Sequence, residues 1–198
     1  MNLPNKLTVS RFVLTALFLW AVFSRSPVND TLALVFFCAA SLTDYFDGRI
    51  ARGRGLITSF GTLMDPLADK ILTCSAFIAF VERSRLNPAT VVPVEAWMVV
   101  IIVARELAIT GLRLLAASKN VVLAAERYGK HKTISQMVAI IALLVMDASV
   151  EWWPWLQSAL KWWVPTFAQL VLWVTVSLTA TSGALYLWRN RAIYLSDL

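Results

Sequence analysis

Histidine occurs once in this chain, as His131, and cysteine only twice, as Cys38 and Cys74. A single histidine all but rules out His-based metal sites and His-dependent catalytic triads. Both cysteines fall inside apolar runs and read as small hydrophobes, with no sign of a disulfide or a zinc site. Charge is scarce too. Asp, Glu, Lys and Arg make up 15% of the 198 residues, against about a quarter in a soluble domain.

Apolar residues, by contrast, make up 59% of the chain, and the mean hydropathy is +0.67. The expected fold class is an all-α integral membrane protein, a single domain over 1–198. Apolar stretches of about twenty residues mark spans, and six are expected, near 8–24, 32–52, 60–81, 93–115, 133–150 and 165–188. The first lacks a small-x-small cleavage site before the polar "SRSPVND" and is expected to be a retained span. Ahead of it lies a short N-terminal interfacial segment. The Trp-rich stretch "EWWPWLQSALKWW" (151–163) is too polar and broken to cross, and its aromatics suit a helix in the headgroup zone.

Basic residues set the orientation. With these spans, one face holds Lys6, Arg11, Arg49, Arg52, Arg54, Arg113, Lys119, Arg127, Lys130, Lys132, Arg189 and Arg191, and the other only Arg25, Arg83, Arg85 and Lys161. Both termini are therefore expected in the cytoplasm of a multi-pass protein of the bacterial inner membrane. Much of the net charge of +6 borders lipid, so anionic headgroups and phosphorylated substrates are better partners than nucleic acid.

Against this background four aspartates stand out in "DYFDGRIARGRGLITSFGTLMDPLADK" (44–70): Asp44, Asp47, Asp65 and Asp69. Asp44, Asp47, Gly48 and Ala51 share one helix face at the end of the second span. Gly61, Asp65 and Asp69 share one at the start of the third. A short link makes the two helices antiparallel neighbours, so the faces can oppose each other. Four ionised carboxylates near lipid repel and cost desolvation, which one or two hard divalent cations would relieve. An oxygen-only donor set suits Mg²⁺ or Mn²⁺, and Mg²⁺ in such sites commonly shares its coordination with substrate phosphates. Gly48, Ala51 and Gly61 leave room for a bulky ligand at the backbone. Simpler roles exist singly: Asp65-Pro66 suits a helix N-cap, Asp44 and Asp47 could be solvated at a helix end, and Asp69 with Lys70 could mark an interface. None explains four acids on two stripes, and carboxylates at a membrane edge are functional candidates.

The pattern Asp44-x-x-Asp47-Gly48-x-x-Ala51-Arg52, eight residues, then Gly61-x-x-x-Asp65-x-x-x-Asp69 resembles the signature of the CDP-alcohol phosphatidyltransferase family at every defined position. The resemblance implies that an alcohol attacks the β-phosphorus of a CDP-linked lipid and CMP leaves. It implies a polar cavity open to the cytoplasm and a homodimer. Asp44, Asp47, Asp65 and Asp69 would bind two metal ions, and Asp69 would be the catalytic base. Gly48, Ala51, Arg52, Thr58 and Gly61, with Asn5 and Thr8 more weakly, would line the CDP-diacylglycerol site. Asn5 and Thr8 would serve equally well as ordinary caps of the first helix, and Lys6 and Arg11 as headgroup anchors.

The segments "NLPNKLTVSR" (2–11) and "ARELAITGLRLLAASKNVVLAAERYGKHKTISQ" (104–136) resemble those of family members whose acceptor is sn-glycerol 3-phosphate. The residues agree with an anionic acceptor: Arg105, Arg113, Lys130 and Lys132 supply cationic donors near the cytoplasmic end. Arg113, Lys130 and Lys132 would also serve as positive-inside anchors. Arg105 lies deeper. Glu106 follows it, but adjacent helical residues do not face each other, so an ion-pair partner is expected on another helix. Rival readings are a sibling enzyme using serine, inositol phosphate or phosphatidylglycerol, a cation transporter, and a structural membrane protein. Transporters often carry repeats and midplane carboxylates, whereas this chain has no visible repeat and its acids cluster at one end.

Overall fold

A computed structural model describes residues 3–24, 28–54, 59–86, 91–119, 121 and 128–195; within its helices the side chains at 3–7, 44–54, 59–63, 65 and 128–130 lie outside that description. The described regular structure is all helical: α1 (Leu3–Phe23), α2 (Asn29–Arg54), α3 (Ser59–Leu86), α4 (Ala96–Ser118), α5 (Tyr128–Ala148), a 3₁₀ turn (Ser149–Glu151), α6 (Pro154–Lys161), α7 (Val164–Arg189) and α8 (Arg191–Leu195). Each expected span falls on one of the six long helices. Among the described residues two stretches, His131–Glu151 and Val164–Arg189, are long and apolar enough to cross a membrane.

The exterior is more apolar than that of a soluble bundle, and several polar side chains are buried within. Exposed positions include Trp20, Val100, Leu107, Leu114 and Leu170, while Thr8, Arg11, Thr15, Gln136, Thr175 and Thr179 are buried. An apolar exterior over a partly polar interior fits a hydrocarbon solvent. The apolar core joins Phe18, Phe37, Leu72, Phe77, Ile102, Ile140, Leu143 and Leu172, with Phe18 and Phe37 rings 5.6 Å apart where α1 meets α2.

Two local expectations are corrected, at Asp65 and at Arg11. The N-terminal segment is helical from Leu3 and joins α1 without a break. Pro4 falls in the first turn, where a missing N–H costs nothing. Asp65 is not an N-cap, because α3 begins at Ser59 and Pro66 lies inside the helix. Arg11 is no headgroup anchor, being fully enclosed. The Trp-rich stretch forms the short helix α6, with Trp153, Trp155 and Trp162 strongly exposed around it.

Candidate active site

Asp44, Asp47, Gly48, Ala51 and Arg52 lie in the C-terminal half of α2, and Gly61, Asp65 and Asp69 in the first half of α3. Residues 55–58 alone separate these helices, which contact each other. The backbone therefore brings both halves of the motif to the same end of the bundle. Pro66 has no N–H to give to the Thr62 carbonyl four residues earlier, which removes one rung of the α3 ladder in the turn that carries Asp65. Asp69 is half-buried, and its carbonyl accepts a hydrogen bond from Thr73 Oγ1 (3.0 Å). The side chains of Asp44, Asp47, Asp65, Asn5, Gly48, Ala51, Arg52, Gly61 and Lys130, and Thr58 altogether, lie outside the described residues. The donor chemistry of the motif, carboxylate oxygens without His or Cys, fits a hard divalent cation.

Beside Asp69, α3, α4 and α5 assemble a cationic cluster. Lys132 Nζ donates to Glu106 Oε1, and Arg105 Nη1 donates to the same oxygen over 3.3 Å. The side chains are largely enclosed, with 5% of Lys132, 11% of Glu106 and 14% of Arg105 exposed. From α3, Lys70 Nζ donates to Thr110 Oγ1, whose hydroxyl donates to the Glu106 carbonyl (2.7 Å). Asp69 is near enough to Lys132 for their charges to interact. Lys132 is thus an interior cation rather than a headgroup anchor. The expectation that Glu106 would not meet Arg105 is also corrected. Arg105 reaches the Glu106 carboxylate, to which Lys132 also donates from α5, although the two side chains leave the helix in different directions.

Arg113 stands apart from this cluster. It is exposed, and its guanidinium lies 5.9 Å from the Tyr186 ring centre. Thr8 is fully buried in α1. Sequence reasoning passed over Glu106 as a site residue, although an acid within an apolar helix was itself the signal.

A second polar network pins the opposite end. Arg83 donates to Asp147 Oδ2 (2.7 Å) and to Asp30. Glu151 receives the backbone N–H groups of Asp30 and Thr31, both at 2.9 Å, and the Thr31 hydroxyl at 2.6 Å. A cavity of about 530 Å³ opens here, lined by Asp30, Glu82, Arg83, Ser84 and Asp147 among others.

Residues 1–181 match the family described as CDP-alcohol phosphatidyltransferase. The chain is 38% identical to a Bacillus subtilis protein named CDP-diacylglycerol–glycerol-3-phosphate 3-phosphatidyltransferase, with 96% of this chain and 95% of that one covered. Proteins of the same name from Rickettsia bellii and Rickettsia felis are each 31% identical over 93% of both chains.

Proposed function

The chain belongs to the CDP-alcohol phosphatidyltransferase family, and from that premise we propose that it transfers the phosphatidyl group of CDP-diacylglycerol to sn-glycerol 3-phosphate, giving phosphatidylglycerophosphate and CMP. The observation that carries this reading is the likeness to the Bacillus subtilis transferase along 96% of the chain. The eight-position aspartate motif and the cationic cluster beside Asp69 support it.

In this reading the six long helices cross the bacterial inner membrane with both termini in the cytoplasm, as one domain that pairs into a homodimer. Asp44, Asp47, Asp65 and Asp69 would hold two Mg²⁺ or Mn²⁺ ions, whose chemistry is to neutralise the pyrophosphate charge. Gly48, Ala51, Arg52, Thr58 and Gly61, with Asn5 and Thr8, would receive the CDP-lipid in a polar cavity open to the cytoplasm. Arg105 and Lys132 would hold the acceptor's phosphate, with Lys130 and, farther along α4, Arg113 as the remaining cationic candidates. The acceptor hydroxyl oxygen forms a bond to the β-phosphorus and the bond to the CMP oxygen breaks. Asp69 takes the hydroxyl proton.

The test supplies purified protein with CDP-diacylglycerol, Mg²⁺ and one labelled alcohol at a time. CMP release is expected with glycerol 3-phosphate and not with serine, inositol phosphate or phosphatidylglycerol. Comparable release with one of those alcohols would replace the acceptor.

A further inference from the structure

Resting on this reading of Arg105 and Lys132, we infer that Glu106 is a positioning residue for the acceptor: an internal anion that holds the two cations converged where a phosphate monoester docks. Three observations lead there. First, Lys132 Nζ and Arg105 Nη1 reach one and the same oxygen, Glu106 Oε1. Two like charges do not gather at one point inside a protein without an anion between them, and a buried ammonium without a counter-charge tends to lose its proton. Second, the cluster carries Lys70, Arg105 and Lys132 against Glu106 and the neighbouring Asp69, so positive charge stays in excess. The surplus of positive charge complements a phosphate dianion. Arg105 Nε is buried without a partner among the described residues, so donor capacity remains. Third, Arg105 is seated from behind. A Cβ at Gly183 of α7 would lie 2.7 Å from Arg105 Cγ, so only glycine there lets the arginine stem lie against α7. Cγ is near the root of the side chain, and its displacement would move the guanidinium.

The experiment measures KM for each substrate in Glu106→Gln, Glu106→Asp, Lys132→Met and the Glu106→Gln/Lys132→Met double variant, all in the full chain in detergent. Glu106→Gln should raise the acceptor KM about tenfold and move the CDP-diacylglycerol KM less than about twofold. Glu106→Asp should recover part of the loss. The double variant should lose less than the sum of the two single losses, because Glu106 acts partly through Lys132 and partly through Arg105. Gly183→Ala, which leaves every charge in place, should raise the acceptor KM selectively as well, and it serves if Glu106→Gln does not fold. An unchanged acceptor KM in Glu106→Gln, an equal rise in both KM values, or additive losses in the double variant overturns the inference. If Lys132→Met also leaves the acceptor KM unchanged, the fault lies with the phosphate-site reading itself; if it raises that KM while Glu106→Gln does not, only the role of Glu106 falls.

Discussion

A carboxylate withdrawn from water costs several kcal/mol unless a counter-charge meets it. Glu106 has its counter-charges within the protein, in Lys132 and Arg105. Asp44, Asp47, Asp65 and Asp69 are four acids gathered by α2 and α3 at one end of the bundle, and we propose that metal ions meet their charge. Asp44→Asn or Asp65→Asn should therefore lower CMP release at least about a hundredfold, while the variant still elutes as folded protein in detergent. Chelation should abolish wild-type turnover and added Mg²⁺ or Mn²⁺ restore it. Near-normal turnover in either variant would remove the metal clamp. These acids were legible because helical spacing fixes them to shared faces. The cluster around Glu106 was not, because one of its cations, Lys132, comes from another helix 26 positions on. Sequence spacing on one helix carries no information about a group contributed by another.

Helix ends obey the same division. The centres of the six long helices follow from apolar runs, which depend only on local composition. Their boundaries depend on partners elsewhere. α2 starts at Asn29 because Glu151, some 120 residues away, receives the N–H groups of Asp30 and Thr31, orphan donors that every helix start presents. α3 begins before Pro66, although Asp-Pro is a strong local start signal, and runs on to Leu86. Its far end is tied down by Arg83 on α2 and α5. Removing the Glu151 carboxylate would strand these donors at the end of the bundle remote from the aspartates. Glu151→Ala is expected to cost about 1–3 kcal/mol, seen as a lower Tm in detergent, with both KM values unchanged. A large rise in either KM would show that the two ends of the bundle are coupled.

For the molecule as a whole, the apolar exterior and the polar groups buried within the apolar core suit lipid around the long helices, and we propose their orientation from the distribution of basic residues. α6 has eight residues and reaches only about 12 Å, so it cannot cross a hydrocarbon layer of about 30 Å. α7 has 26 residues, about 39 Å by the same rise, and can. If α1–α5 and α7 each cross once, an even number of crossings places both termini on one side. We propose that this side is the cytoplasm, because most of the basic residues outside the spans lie on it and only Arg25, Arg83, Arg85 and Lys161 on the other. The aspartates and the Arg105–Lys132 cluster then open toward the compartment that supplies a water-soluble acceptor, while the lipid donor enters sideways from the bilayer. Ser118 and Ser158 report on the two faces, since both are exposed, one at the end of α4 and one on α6. With Cys38 and Cys74 replaced, a cysteine introduced by Ser158→Cys should react in intact cells with a membrane-impermeant thiol reagent. One introduced by Ser118→Cys should react only after the membrane is opened. Labelling of the Ser118→Cys variant from outside would invert the topology. The acceptor would then have to reach the site from the wrong side of the membrane, and the proposed reaction would fail with the orientation.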